Sequence, residues 1–210
     1  MTLTAARWQA AWQALGTAGR EDLHAELLAR YAEPHRAYHT QQHLRECLAL
    51  FDEVRGLAAH PAEIEIALWF HDAIYDVRRH DNEVRSADWA RDALLDAGVT
   101  HDVAGRVEAL VLATRHSVAP QTADEQLLVD IDLAILGAAP ARFAEYEAQI
   151  GVEYGHVPQP LFNQKRGEIL AGFLARPVLY GTDAMRARFE TAARRNLQHA
   201  LAALAPAPDR

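Results

Sequence analysis

The stretch Pro61-Ala-Glu-Ile-Glu-Ile-Ala-Leu-Trp-Phe-His-Asp72 decides the fold more directly than any other part of the chain. Ile64, Leu68 and His71 recur at the three- to four-residue spacing of one helix face. Ile64-Glu65-Ile66 alternates as a strand would, but it lies inside this helical run. The stretch therefore predicts a helix that starts after Pro61 and carries His71.

The same periodicity continues in both directions and predicts an all-α fold. No segment shows strand-like alternation with hairpin turns, and no repeat of fixed period is present. Before the quoted stretch, the predicted helices are marked by Trp8, Trp12 and Leu15, by Leu23, Leu27 and Tyr31, and by His43, Cys47 and Val54. After it, they are marked by Val84 to Leu94, Val103 to Val111, Leu127 to Ile135, Phe143 to Tyr154, residues 163–174, and a last run from Thr182-Asp183 to Leu201.

Composition points to a globular cytoplasmic protein. Of the 210 residues, 50% are hydrophobic and 24% are charged, which is ordinary for a domain with its own core. No apolar run approaches the roughly 18 residues of a membrane span, and the first residues do not resemble a signal peptide. The single cysteine excludes an internal disulfide framework. We therefore expect no membrane partner.

The formal net charge of -8 disfavours a nucleic-acid polymer as partner, since no run of basic residues offsets it. Lys165 is the only lysine, so nearly all positive charge comes from arginine, which suits bidentate contact with phosphate. A small phosphorylated molecule is therefore the expected kind of ligand.

Two histidines stand out among the 11 in the chain. His43 lies on the apolar face of the third predicted helix, and His71 directly precedes Asp72. A lone histidine on an apolar face is usually a hydrogen-bonded core residue, but two of them with an adjacent carboxylate favour a metal site. Cys47, one turn after His43, is expected to be inert packing rather than a nucleophile.

Two carboxylates lie inside the apolar run from Leu127 to Gly137. Burial of Asp130 or Asp132 is costly without a partner, which can be an arginine, a helix N-terminus or a metal ion. Imidazole and carboxylate ligands together suit Mn²⁺, Fe²⁺, Co²⁺, Ni²⁺ or Zn²⁺, and Mg²⁺ less well. A thiolate-rich structural zinc site is excluded because only one cysteine exists.

The order of these residues resembles the H…HD…D signature of the HD superfamily: His43, then His71-Asp72, then Asp132. Four blocks are similar to a bacterial group of predicted metal-dependent HD phosphohydrolases of about 200 residues. The blocks are Arg36-Ala-Tyr-His-Thr-Gln-Gln-His43, Trp69-Phe-His-Asp-Ala-Ile-Tyr-Asp76, Asp81-Asn-Glu-Val-Arg-Ser-Ala87 and Asp130-Ile-Asp-Leu-Ala-Ile-Leu-Gly137. The resemblance covers roughly residues 5 to 201.

The resemblance implies an HD-like helical bundle with additional C-terminal helices. It implies a single domain over residues 1–210, with a core of about 30–140 and a helical extension of about 140–204. It also implies a divalent metal held by His43, His71, Asp72 and Asp132, with Asp130 as the alternative to Asp132. Water activated on that metal would hydrolyse a small phosphorylated molecule, with a nucleotide preferred. A homodimer is allowed.

Proton transfer is assigned to Asp76 or to Glu83. Asp76 lies one turn after Asp72 if the helix continues. It matches the second acid of the HDxxED element of (p)ppGpp hydrolases, whereas the first acid of that element is replaced here by Tyr75. The residues expected to contact substrate are His39, His116, Arg36, Lys165 and Arg166.

Two rival functions use the same residues. A metal- or nucleotide-binding module would keep the ligands without turnover. An HD-type oxygenase with mixed-valent iron would need further ligands, which only His39 and His116 could supply. The intact set of four ligands favours the hydrolase.

Overall fold

A computed structural model describes residues 3–204, and within them the chain is all-α with no β-strand. The predicted fold class is therefore confirmed. The ten helices of this part are α1 (Ala5–Ala14), α2 (Glu21–Arg30), α3 (Gln41–Val54), α4 (Pro61–Phe70), α5 (Asn82–Asp96), α6 (His101–Ala113), α7 (Ala123–Asp132), α8 (Pro140–Glu153), α9 (Gln159–Leu174) and α10 (Asp183–Leu204). Short 3₁₀ segments follow α3 and α7, at Arg55–Leu57 and Leu133–Gly137.

Three helix boundaries differ from the predicted ones. Helix α4 ends at Phe70, so His71 and Asp72 lie beyond its last turn. Helix α7 ends at Asp132 and is followed by the 3₁₀ segment, whereas one helix was expected to continue through Ile135. Helix α9 starts at Gln159, before the predicted start near 163, because a proline in the first turn costs no hydrogen bond.

The chain forms two compact units, which divide between Ile131 and Asp132. The first unit holds α1 to α6 and nearly all of α7. The second holds the 3₁₀ segment Leu133–Gly137 and α8 to α10. None of the helices between residues 3 and 204 is both long and apolar enough to cross a membrane.

Helix α4 lies at the centre of the first unit, where it contacts α1, α3, α5 and α6. Every residue from Glu63 to Phe70 is buried, as expected of a helix that is surrounded on all sides. Two of these buried residues are acids, and each has an arginine partner. Glu63 accepts bonds of 2.8 and 2.6 Å from Arg106, and Glu65 pairs with Arg7 at 2.7 Å and with Arg55. These pairs offset the cost of burying the two carboxylates.

The second unit is organised around the 3₁₀ segment. The amide of Asn196 on α10 donates to the carbonyls of Leu136 and Ala138, at 2.8 and 2.9 Å. The hydroxyl of Tyr180 donates to the carbonyl of Leu133 at 3.0 Å. Gly137 has no room for a side chain, since a Cβ there would lie 2.7 Å from Cβ of Phe189. The close approach of α10 thus fixes the backbone that follows Asp132.

An aromatic cluster encloses His24 in the first unit. The imidazole lies 5.6 Å from the ring of Trp8 and 5.3 Å from that of Trp69, and its Nε2 has no hydrogen-bond partner within residues 3–204. Burial lowers the pKa of His24 below its ordinary value of 6.5. The folded protein therefore favours the neutral imidazole.

We expect the first unit to lose stability in mild acid because of His24. Below pH 6.5 the unfolded chain binds a proton at this residue more readily than the folded chain does, so the free energy of unfolding falls as the pH falls. Urea unfolding at pH 7.5 and 5.5 measures this loss. It should be smaller in His24→Phe than in wild type, and unchanged in the control His101→Phe, whose histidine is exposed. An equal loss in all three proteins would contradict the assignment.

Candidate metal centre

His43 reaches the site because α3 begins shortly before it. The hydroxyl of Thr40 accepts a hydrogen bond from the amide of Gln42, which caps the helix and places His43 in the first turn. The His43 side chain is buried, with its Nδ1 3.0 Å from the hydroxyl of Tyr38. Its Nε2 is directed toward His71.

His71 reaches the same place because α4 stops at Phe70. Its Nδ1 lies 2.8 Å from the carbonyl oxygen of Leu68. A carbonyl can only accept, so Nδ1 carries a proton, and in a neutral ring Nε2 would be the nitrogen whose lone pair can bind a metal ion. This tautomer is the one that a metal ligand requires when Nε2 binds.

Three possible ligand atoms converge at this point. Nε2 of His43 and Nε2 of His71 are 3.0 Å apart, and Oδ2 of Asp72 lies 3.1 Å from His71 and 3.5 Å from His43. Atoms bound about 2.1 Å from one ion at tetrahedral angles are about 3.4 Å apart, and at right angles about 3.0 Å. The three observed separations fit one face of such a coordination sphere.

The ionisation of Asp72 suits this role. Burial raises its pKa, but attraction to the imidazoles of His71, His39 and His43 in their protonated form, with a hydrogen bond from His71, outweighs burial and holds the pKa below the ordinary value. The carboxylate therefore stays charged where it faces both Nε2 atoms.

Asp132 and Cys47 complete a wider cluster. One ligand atom from each of His43, Cys47, His71 and Asp132 lies within 4.8 Å of every other, and the group could hold a metal ion. Asp132 is the last residue of α7, whose preceding residues belong to the first unit. Asp130, the alternative carboxylate, is almost fully buried two residues earlier on the same helix.

Two members of this environment were not predicted as functional residues. Cys47 was assigned to packing alone, although its spacing of four residues from His43 was a usable signal. Tyr38 gave no signal in the sequence, because its contact with Nδ1 of His43 depends on the path of the loop before α3.

The turn after α4 is held by two side chains from outside the helix. The hydroxyl of Tyr31 donates to the carbonyl of Trp69 at 3.3 Å and accepts from the amide of Asp72 at 3.2 Å. The guanidinium of Arg36 donates to the carbonyls of Asp72 and Ala73, at 2.6 and 3.0 Å. It also binds Glu33 and the carbonyl of His39.

This use of Arg36 differs from the predicted phosphate clamp. Its guanidinium is buried and its donors are engaged by backbone carbonyls and one carboxylate, so it shapes the turn that presents His71 and Asp72.

His39, one of the predicted substrate contacts, lies beside the cluster although it precedes α3. Helix α3 begins at Gln41, so His39 is in the preceding loop and does not share a helix face with His43. The two imidazoles are nevertheless 6.1 Å apart, and His39 stacks on Tyr75 at 4.0 Å.

The two acids proposed for proton transfer lie in and just after the loop that follows α4. The helical spacing that suggested Asp76 does not apply, because α4 has already ended. Oδ1 of Asp76 accepts from the amide of Arg78 at 2.9 Å, and the side chain of Asn82 bonds the backbone of Asp76. Glu83 lies in the first turn of α5, where a negative charge favours the helix.

The other predicted substrate contacts lie on different elements. His116 follows the end of α6 with a φ of 54°, in the left-handed region. Lys165 is exposed and pairs with Glu168 at 2.8 Å. Arg166 is buried in the second unit, 2.5 Å from Glu147 and over the ring of Tyr146. It is part of an internal ion pair there, which differs from a free phosphate clamp.

No family model matches this chain, and neither a curated protein nor a solved structure is significantly similar to it. The function must therefore be argued from the cluster itself.

Replacing Arg36 with lysine should destabilise the turn after α4, because the guanidinium holds that turn. A lysine cannot bond two carbonyls and Glu33 at once, so we expect a loss of about 2 kcal/mol or more in the free energy of unfolding. Urea unfolding of Arg36→Lys measures it, with the exposed Arg78→Lys as a control. Unchanged stability would mean that the guanidinium is dispensable for the turn.

Replacing Tyr38 with phenylalanine should weaken metal binding without unfolding the chain. The hydroxyl orients His43 through Nδ1, and loss of such an orienting bond costs about 10- to 100-fold in metal affinity. Titration of chelator-stripped protein with Co²⁺, followed by visible absorption, gives the Kd of each protein. Equal affinities for Tyr38→Phe and wild type would remove Tyr38 from the site.

Proposed function

We propose that this chain is a metal-dependent phosphohydrolase of the HD superfamily that acts on a small phosphorylated molecule, with a nucleotide as the preferred class. One observation carries the proposal: the buried Nε2 atoms of His43 and His71 meet the carboxylate of Asp72 within 3.5 Å. Because Nδ1 of His71 donates to the carbonyl of Leu68, a neutral His71 could not also donate to this carboxylate through Nε2. A divalent cation at this point would be bound by both imidazoles and balanced by the carboxylate.

Each residue of the cluster has a separate role in the proposed site. His43 and His71 bind the ion through Nε2, and the carboxylates of Asp72 and Asp132 supply negative charge to it. Tyr38 and the carbonyl of Leu68 orient the two rings. A divalent ion in this site would lower the pKa of a bound water and neutralise charge on phosphoryl oxygens.

Asp76 and Glu83 remain the proposed groups for proton transfer, since both lie in or next to the loop that follows the histidine-aspartate pair. His39 is best placed to contact substrate. Its ring lies 6.1 Å from that of His43, and it is close enough to Asp72 to lower the pKa of that carboxyl. His116 and Lys165 are proposed as weaker contacts, whereas Arg36 and Arg166 have protein partners and act through structure. The resident ion is proposed to be Mn²⁺, Fe²⁺, Co²⁺, Ni²⁺ or Zn²⁺ rather than Mg²⁺.

The proposal predicts phosphate release that depends on both added metal and the two central ligands. Chelator-stripped protein is incubated with nucleoside mono-, di- and triphosphates in the presence of Mn²⁺, Co²⁺, Ni²⁺ or Mg²⁺. Wild type should turn over at least one of these, and His71→Ala with Asp72→Ala should fall to the level of the protein-free control. The control His101→Ala, at an exposed position, should keep wild-type activity.

A non-catalytic binding module is the alternative, and one contact favours it. The carboxylate of Asp76 is engaged by the backbone of Arg78, which is a structural role for the acid first assigned to proton transfer. Tight metal binding by wild type together with no turnover of any phosphorylated compound above the double variant would select this alternative over the hydrolase.

A further inference from the structure

Cys47 is the one soft donor in the cluster, and no role in the proposed hydrolysis has been given to it. It lies one turn after His43 on α3, so both side chains leave the same face of the helix. Its side chain is buried, and its Sγ is 3.7 Å from each ring nitrogen of His43. As the chain's only cysteine, it cannot form an internal disulfide.

We propose that Cys47 binds the metal ion of this site as a thiolate and makes the site selective for Zn²⁺, Fe²⁺ or Co²⁺ over Mg²⁺. The inference rests on the proposed metal site but not on the reaction. It adds a sulfur ligand to the imidazoles of His43 and His71 and to the carboxylates.

The distances place the thiol within reach of such an ion. A nitrogen and a sulfur bound tetrahedrally to one Zn²⁺ are about 3.6 Å apart, given bond lengths of about 2.1 and 2.3 Å. The Sγ to Nε2 distance of 3.7 Å is close to that separation. Sγ also lies within 4.8 Å of ligand atoms from His71 and Asp132.

Binding requires a change in the direction of the thiol. Sγ lies equally far from Nδ1 and Nε2, whereas a metal shared with His43 would be bound on the Nε2 side of the ring. The torsion about the Cα–Cβ bond of Cys47 is the one side-chain torsion that moves Sγ, and binding would use it. As the sulfur–metal bond forms, the thiol proton leaves to the solvent, so that mass and charge balance.

The chemistry of the donors supplies the selectivity. Magnesium prefers oxygen ligands and keeps its waters, whereas thiolate and imidazole favour zinc, iron and cobalt. A buried thiol that lies beside the His43 imidazole adds a soft ligand after the rotation of one side chain. A site of imidazole and carboxylate alone would discriminate less strongly.

The test is optical and does not require turnover. Stripped wild type, Cys47→Ser, Cys47→Ala and His71→Ala are titrated with Co²⁺, and circular dichroism confirms the helix content of each. Wild type should show a near-ultraviolet sulfur-to-cobalt charge-transfer band that saturates together with the visible cobalt bands. Both Cys47 variants should lose this band yet retain visible bands, because the imidazole ligands remain.

Competition with Zn²⁺ and Mg²⁺ measures the selectivity. Cys47→Ser should weaken Zn²⁺ binding by about tenfold or more, which corresponds to about 1.4 kcal/mol, and should change Mg²⁺ binding by less than about twofold. Visible cobalt bands in wild type without the charge-transfer band would overturn the role of Cys47 and leave the metal site in place. Absence of any cobalt binding would overturn both. A charge-transfer band without phosphate release would support the sulfur ligand and count against the hydrolase alone.

Discussion

The hydrogen bonds that Arg36 donates to the carbonyls of Asp72 and Ala73 are the constraint on which the rest of the site depends. Consecutive residues in a helix point about 100° apart, so His71 and Asp72 could not face one ion from within α4. The helix ends at Phe70, and the guanidinium then satisfies the carbonyls of two residues of the following turn, Asp72 and Ala73. With the turn fixed in this way, the Asp72 carboxylate comes within 3.1 Å of Nε2 of its neighbour.

The burial of α4 makes this turn rigid. Its surrounding helices exclude water from Glu63 to Phe70, and ion pairs with arginines satisfy Glu63 and Glu65. The same burial brings Trp69 against Trp8 and His24, at ring distances of 5.5 and 5.3 Å. Because closely packed protein interiors have low compressibility, a displacement of one core side chain shifts its neighbours. The position of His71 is therefore coupled to the core one residue before it.

The cluster gathers donors of different hardness at one buried point. The carboxylates bring charge, the imidazoles bring nitrogen donors, and Cys47 brings a polarisable sulfur. Burial increases the strength of each interaction because the local dielectric constant is low. It also makes a carboxylate such as that of Asp72 expensive to bury without a positively charged or hydrogen-bonding partner. This balance, rather than any single residue, is what supports a metal-dependent function.

The sequence by itself determined the all-α fold and singled out the histidines and aspartates that meet in the cluster, but not Cys47. Helical periodicity is local, so the spacing of Ile64, Leu68 and His71 sufficed to place a helix before the pair, and buried polar residues stood out against apolar runs. The tertiary structure alone decided where α4 ends, that Arg36 serves the turn, and that Tyr38 and Cys47 contact His43. These features depend on contacts between segments or on the path of a loop. No periodicity within one segment encodes either of them.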